Sequence, residues 1–143
     1  MTMSTFFVVN KKNSLKFLLS TLLSGFGMWV IAGVYHNLIL PTLSEELKPH
    51  HEGLGIGLIA YFILALLITY VYQRFHRSSE SILSGLEVGI LVGVIWVFPH
   101  GLVMAGIHDT SIVYEIKNAL YHVLEQGAGG IIVYLVCRKS TRS

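Results

Sequence analysis

The stretch "ALYHVLEQGAGGIIVYLV" (119–136) decides the reading of this chain. It is apolar enough to cross a bilayer, which takes about 20 residues in helical form. Yet it holds His122, Glu125 and Gln126, followed by Gly127, Ala128, Gly129 and Gly130. In lipid, small residues let a second helix approach closely, and polar side chains hydrogen-bond across the contact. The stretch therefore predicts a helix that lies against other helices.

Working outward, three more runs have the same character. The spans are expected at about 15–40, 54–72, 82–107 and 114–137, the strictly apolar part of the last being Ala119–Cys137. The composition agrees: 53% of the 143 residues are hydrophobic and only 13% charged, with a mean hydropathy of +0.65. Soluble domains carry about a quarter charged residues. Between the spans there is room only for short loops, so residues 1–143 are read as one integral membrane domain. The fold class is all-α, a four-helix transmembrane bundle. Lys11, Lys12 and Lys16 precede the first run, but it is about 25 residues long and lacks a small-x-small cleavage site, so it reads as a retained anchor and not a signal peptide.

The basic residues give an orientation. Lys11, Lys12, Lys16, Arg74, Arg77, Arg138, Lys139 and Arg142 fall on one side of a four-span chain, leaving Lys48 and Lys117 opposite. Positive residues in short loops stay cytoplasmic, so both termini are expected there, in a bacterial inner membrane. The net charge of +2 is too small to indicate a nucleic-acid partner. The expected partners are the lipid bilayer and, through a spare glycine ridge, a second copy of the chain.

Six of the seven histidines then lie toward the outer side: His36, His50, His51, His100, His108 and His122. His36, His100, His122 and Glu125 fall within the spans, and Glu52 stands at the start of the second. Ionisable groups at such positions usually face the bundle interior, because exposure to lipid costs several kcal/mol. Helical spacing points the same way. Gly85, Gly89, Gly93, Trp96 and His100 share a face of the third span, as do Gly25, Trp29, Gly33 and His36 in the first. In the fourth, Asn118, His122, Glu125 and Gly129 line up, with Gln126 and Gly130 beside them. The expectation is an outward-facing pocket with ligand or metal candidates His36, His51, Glu52, His100, His122 and Glu125. Helix packing is assigned to Gly33, Gly85, Gly89, Gly93, Gly129 and Gly130. In the plainer alternative His122 and Glu125 satisfy each other, or Asn37 across the bundle, and only hold helices together.

A weak internal repeat also pairs these residues. "VIAGVYHNLIL" (30–40) matches "VIWVFPHGLVM" (94–104), and "EGLGIGLIAY" (52–61) matches "EQGAGGIIVY" (125–134). It makes the bundle two repeated helical hairpins, with His36 and His100 at similar depths and Glu52 paired with Glu125. Parallel repeats of this kind occur in transporters.

Imidazole and carboxylate together suit a proton or a transition metal. The order His-x-x-Glu is reversed from that of di-iron bundles. Two histidines at one depth could hold one haem, though less well, since no second pair exists to pass electrons across. Nucleophilic catalysis has little support: Cys137 lies at the opposite face, and no serine stands in a G-x-S-x-G setting. An enzyme is thus the weaker expectation. The leading function is binding or passage of a small cation at the His/Glu pocket. Its rivals are a scaffold or accessory subunit whose polar residues only join helices, and a membrane oxidoreductase with one haem or quinone.

The motifs "GVYHN", "WVFPHGL" and "KNALYHVLEQGAGG" resemble those of small bacterial four-span membrane proteins to which no activity is assigned. The resemblance covers about residues 25–137. It implies the four-helix fold and the bacterial inner membrane, and it carries over no functional residue.

Overall fold

In a membrane every backbone polar group must be paired within the protein, which leaves long apolar runs no choice but the helix. The computed structural model of the chain describes residues 11–39, 54–75, 81–107 and 111–138, and its regular elements are all helical. Helix α1 is Lys11–Val34, continued by a π-helical turn at Tyr35–Ile39. Then follow α2 (Leu54–Phe75), α3 (Ile82–Ile107) and α4 (Ile112–Cys137). Each contains a stretch long and apolar enough to span a membrane. The chain is a multi-pass membrane protein with an all-α, four-helix bundle fold.

The helices run past the limits that hydrophobicity sets. α1 begins at Lys11 instead of Leu15, α2 reaches Phe75 instead of Tyr72, and α4 begins at Ile112 instead of 114. Helical hydrogen bonding, not apolarity, decides where a helix stops. The Glu115 N–H bonds the Ser111 carbonyl at 3.0 Å, so α4 is wound through Glu115, Lys117 and Asn118. At the start of α3 the Ser81 hydroxyl accepts from the Leu83 N–H at 3.1 Å, a hydroxyl cap on the unpaired first turn.

α4 touches all three other helices and packs most extensively on α3. α1 packs on α2 and α4, and among the described residues α1 does not contact α3. The outcome inverts hydropathy. α4 is the least apolar span, at a mean hydropathy of 1.3 against 1.8 to 2.1 for the others, and the most buried. Large apolar side chains such as Ile56, Ile63, Leu102 and Leu124 point outward, where lipid solvates them. The interior holds Met28, Ala65, Ile68, Val88, Val92 and Val133 together with Ser20, Ser24, Thr69 and Gln126.

The α3–α4 seam is built on glycine. A Cβ on Gly85 would strike the Gly130 carbonyl at 2.5 Å and Tyr134 Cβ at 2.7 Å. One on Gly89 would strike the Gln126 carbonyl, and one on Gly93 would come within 3.1 Å of Val123 Cα. Gly130 in turn lies on the Gly85 carbonyl, and Gly129 admits Met28 and Ser24 from α1. Gly33 is different. Nothing among the described residues lies within 4 Å of a Cβ placed there, so no described helix packs closely on it.

Candidate functional site

The register between helices fixes which side chains meet. α1 and α4 are antiparallel. Lys16 Nζ donates to the carbonyls of Cys137 and Arg138, at 3.1 Å each, and Ser24 Oγ donates to the Gly129 carbonyl at 2.9 Å. Further along the same pair, Tyr35 stacks on Tyr121 with ring centroids 3.5 Å apart. One residue on, the rings of His36 and His122 stand 6.0 Å apart at 40°. The π turn at Tyr35–Ile39 widens the backbone just where these rings are delivered. Such turns recur at functional sites.

His122 and Glu125, three residues apart, lie on one face of α4. His122 Nδ1 is 2.8 Å from Glu125 Oε2. The His122 side chain is 16% exposed and that of Glu125 is fully enclosed. Counting along α4, Glu125 is thirteen residues from Ile112 and twelve from Cys137. It therefore sits at the middle of its helix, about 19 Å from the start at 1.5 Å per residue. Counted from Ala119, where the strictly apolar part begins, it would lie only six residues in.

Tyr61 of α2 and Tyr121 of α4 both bring their phenol groups to the Glu125 carboxylate. Even so, Tyr121 OH and Glu125 Oε1 complete no hydrogen bond of good geometry, and both polar atoms of the Gln126 amide are also unpartnered. Gln126 is 0% exposed and Glu125 2%. Buried polar side chains are nearly always paired, so three neighbouring ones with unpartnered atoms near the middle of α4 single out this place. Asn37, the alternative partner expected for His122 and Glu125, instead donates to its own helix at the Gly33 carbonyl, 2.7 Å away.

His100 does not join the cluster. Gly93 meets Val123 and Gly101 meets Glu115, so by register the level of His122 on α3 is residue 94. His100 lies six residues beyond it, about 9 Å further along the axis. It is exposed and stacks on Trp96 at 5.7 Å. The physical reason is the glycine ridge itself. A row spaced by four drifts around the helix by about 40° per step, so the seam leaves the Gly85 face and passes through Val97 and Gly101, both buried. Trp96 and His100 are left on the outer side. His36 and His100 thus differ in depth and in direction, and the paired-hairpin symmetry does not hold for them. Gly57, one turn before Tyr61, has nothing among the described residues within 4 Å of a Cβ placed on it. His51 and Glu52, with the Glu52–Glu125 pairing, lie outside the described residues.

The site is therefore His36, His122 and Glu125, framed by Tyr35, Tyr61, Tyr121 and Gln126. Of the six expected ligands the structure brings together three. Tyr121 could have been found from its spacing, one turn before Glu125. Tyr61 and Tyr35 come from other helices, and only the register reveals them. At the opposite end, half-buried Cys137 lies 3.2 Å from Ser20 Oγ and 3.5 Å from Gln73 Nε2.

The comparison with known proteins found no matching family model, curated protein or solved structure, and the geometry alone carries the chemistry. Among the described residues no three or more His, Cys, Asp or Glu side chains are grouped so as to hold a metal ion. His122 Nδ1 is engaged by Glu125. An imidazole beside a carboxylate is a donor–acceptor pair of the kind that proton or cation chemistry uses.

Proposed function

We propose that this protein binds a small cation, the proton, at the His36–His122–Glu125 pocket of a four-span bundle in a bacterial inner membrane. The basic residues of the chain favour both termini in the cytoplasm, and the pocket then opens toward the outer side through His36 and His122. The observation that carries the reading is the 2.8 Å contact between His122 Nδ1 and a Glu125 carboxylate buried at mid-helix. An isolated carboxylate is costly to hold in a low-dielectric interior. With neutral imidazole the pair is anionic; one added proton makes it neutral overall. The site is thus built to hold one proton equivalent, and the second imidazole, His36, is positioned to deliver it or to receive it.

Infrared spectroscopy of the purified protein tests this. A carboxyl or imidazolium signal should titrate reversibly and disappear in Glu125→Gln. A silent Glu125, with no spectral change from about pH 4 to about pH 10, a range that spans the ordinary carboxyl and imidazole values, would leave the polar groups as helix-joining contacts and favour the scaffold reading. Tight binding of Zn²⁺ that is lost in both His36→Ala and His122→Ala would replace the proton with a metal.

A further inference from the structure

The buried polar residues outside the pocket are not scattered. Ser24 reaches the α4 backbone at Gly129, and Ser20 and Gln73 meet Cys137. α2 runs parallel to α4, since Tyr61 meets Glu125 and Gln73 meets Cys137. Thr69, one turn before Gln73, therefore falls at the level of Val133. Thr21, between Ser20 and Ser24 on α1, falls at nearly the same level. Thr69 and Ser24 are 0% exposed and Thr21 8%. The hydroxyls of Thr21 and Thr69 have no hydrogen-bond partner among the described residues, although a helical threonine can bond its own preceding turn.

Measured along α4, polar groups thus stand at the levels of residues 122, 125 and 126, 129, 133 and 137. Successive levels are about 4–6 Å apart at 1.5 Å per residue. One or two water molecules, hydrogen-bonded at about 2.8 Å per link, cover such a step along the axis. Ile68 and Val133, both 0% exposed, fill the core at the Thr69 level, so no open pore passes there. A hydroxyl that accepts a proton from one side and donates one to the other needs no pore.

We propose that Ser24, Thr69, Thr21 and Ser20 form a hydrogen-bonded route by which the proton held at the Glu125 pocket exchanges with the Lys16 side of the membrane. The protein would then conduct protons, not merely bind them. The inference rests on the pocket reading above. Its chemistry balances without any redox partner. A proton from water protonates the His36–His122–Glu125 group. The Ser24 and Ser20 hydroxyls turn from the Gly129 and Lys16 carbonyls to which they donate at rest. Each hydroxyl or bridging water accepts one proton and gives up another, and water at the far end takes the last. The apolar plug excludes Na⁺ and K⁺, which would have to shed their hydration.

The test is proton flux. Full-length protein in liposomes holding a pH-sensitive dye is driven by a K⁺ diffusion potential. Wild type should acidify the lumen several-fold faster than protein-free vesicles, with no dependence on Na⁺. The near-isosteric Thr69→Val and Thr21→Val should each lower the flux about tenfold, the effect of one hydrogen bond withheld from the limiting step. Thr69→Ser, which keeps the hydroxyl, should restore it. The infrared signal of Glu125 should be unchanged in all three, which also reports that they fold. Flux at the protein-free rate in wild type, or unaltered in both valine variants, with Glu125 still titrating, would overturn the route and leave the pocket standing. A Glu125 that does not titrate would overturn the pocket itself.

Discussion

Glu125 differs from glutamine by one oxygen, and that oxygen separates two accounts of the site. In Glu125→Gln the side chain keeps its length and can still hydrogen-bond His122, while a buried carboxylate becomes an amide that is cheaper to enclose. Thermal unfolding in detergent should move little, within about 1 kcal/mol, the average worth of an interhelical hydrogen bond in a membrane. Proton uptake should vanish. Tyr121→Phe makes a second residue-scale case. The Tyr121 hydroxyl is buried without a completed hydrogen bond and its ring is stacked on Tyr35. The ring contact survives the change, so stability should hold, and the Glu125 signal should shift because a phenol beside the carboxylate has gone. A loss of more than about 1 kcal/mol would mean the hydroxyl already has a structural partner. At this scale the sequence is readable where partners are local: His122 and Glu125 are three apart on one helix. His100 is not readable in this way. A straight extension of the glycine row turns it inward, and a four-residue row does not run straight.

Within single elements, the α3 ridge and Gly33 make opposite forecasts for the same substitution. Gly89→Ala puts a methyl group into the Gln126 carbonyl, and the two helices must separate. Overpacking of this kind costs about 1–3 kcal/mol. Gly33→Ala meets nothing within 4 Å among the described residues and should be neutral or favourable by up to about 1 kcal/mol, the helix-propensity gain. Denaturant titration of the two variants side by side checks both. The G-x-x-x-G-x-x-x-G spacing makes the ridge legible, because a repeat of three small residues on one face has few other uses in lipid. The π turn at Tyr35–Ile39 leaves no such mark. It arises where Tyr35 and His36 settle against Tyr121 and His122, partners more than eighty residues away in the chain.

For the molecule as a whole, topology is the forecast. A reporter active only in the cytoplasm should work when fused after Ser143 and fail when inserted near Lys48. The reverse result would turn the pocket mouth toward the cytoplasm and reverse the direction of the route. The number of helices and their order are legible because hydropathy over a span-length window is a property of composition. Which helix lies at the centre is not, since α4 is central through its contacts with three partners and not through any property of its own apolar residues.

That centrality has a consequence for how the chain is made. α1 and α3 have no contact with each other among the described residues, and each meets α4, which follows both in the chain. Until α4 arrives, the ridge at Gly85, Gly89 and Gly93 faces lipid and Lys16 has no carbonyl to cap. Assembly of the four helices therefore turns on α4, through which α1 and α3 are brought into one bundle. A chain cut short before residue 112 lacks both the partner of its glycine ridge and the carbonyls that Lys16 meets, and it should be degraded faster than the full chain in a pulse-chase measurement.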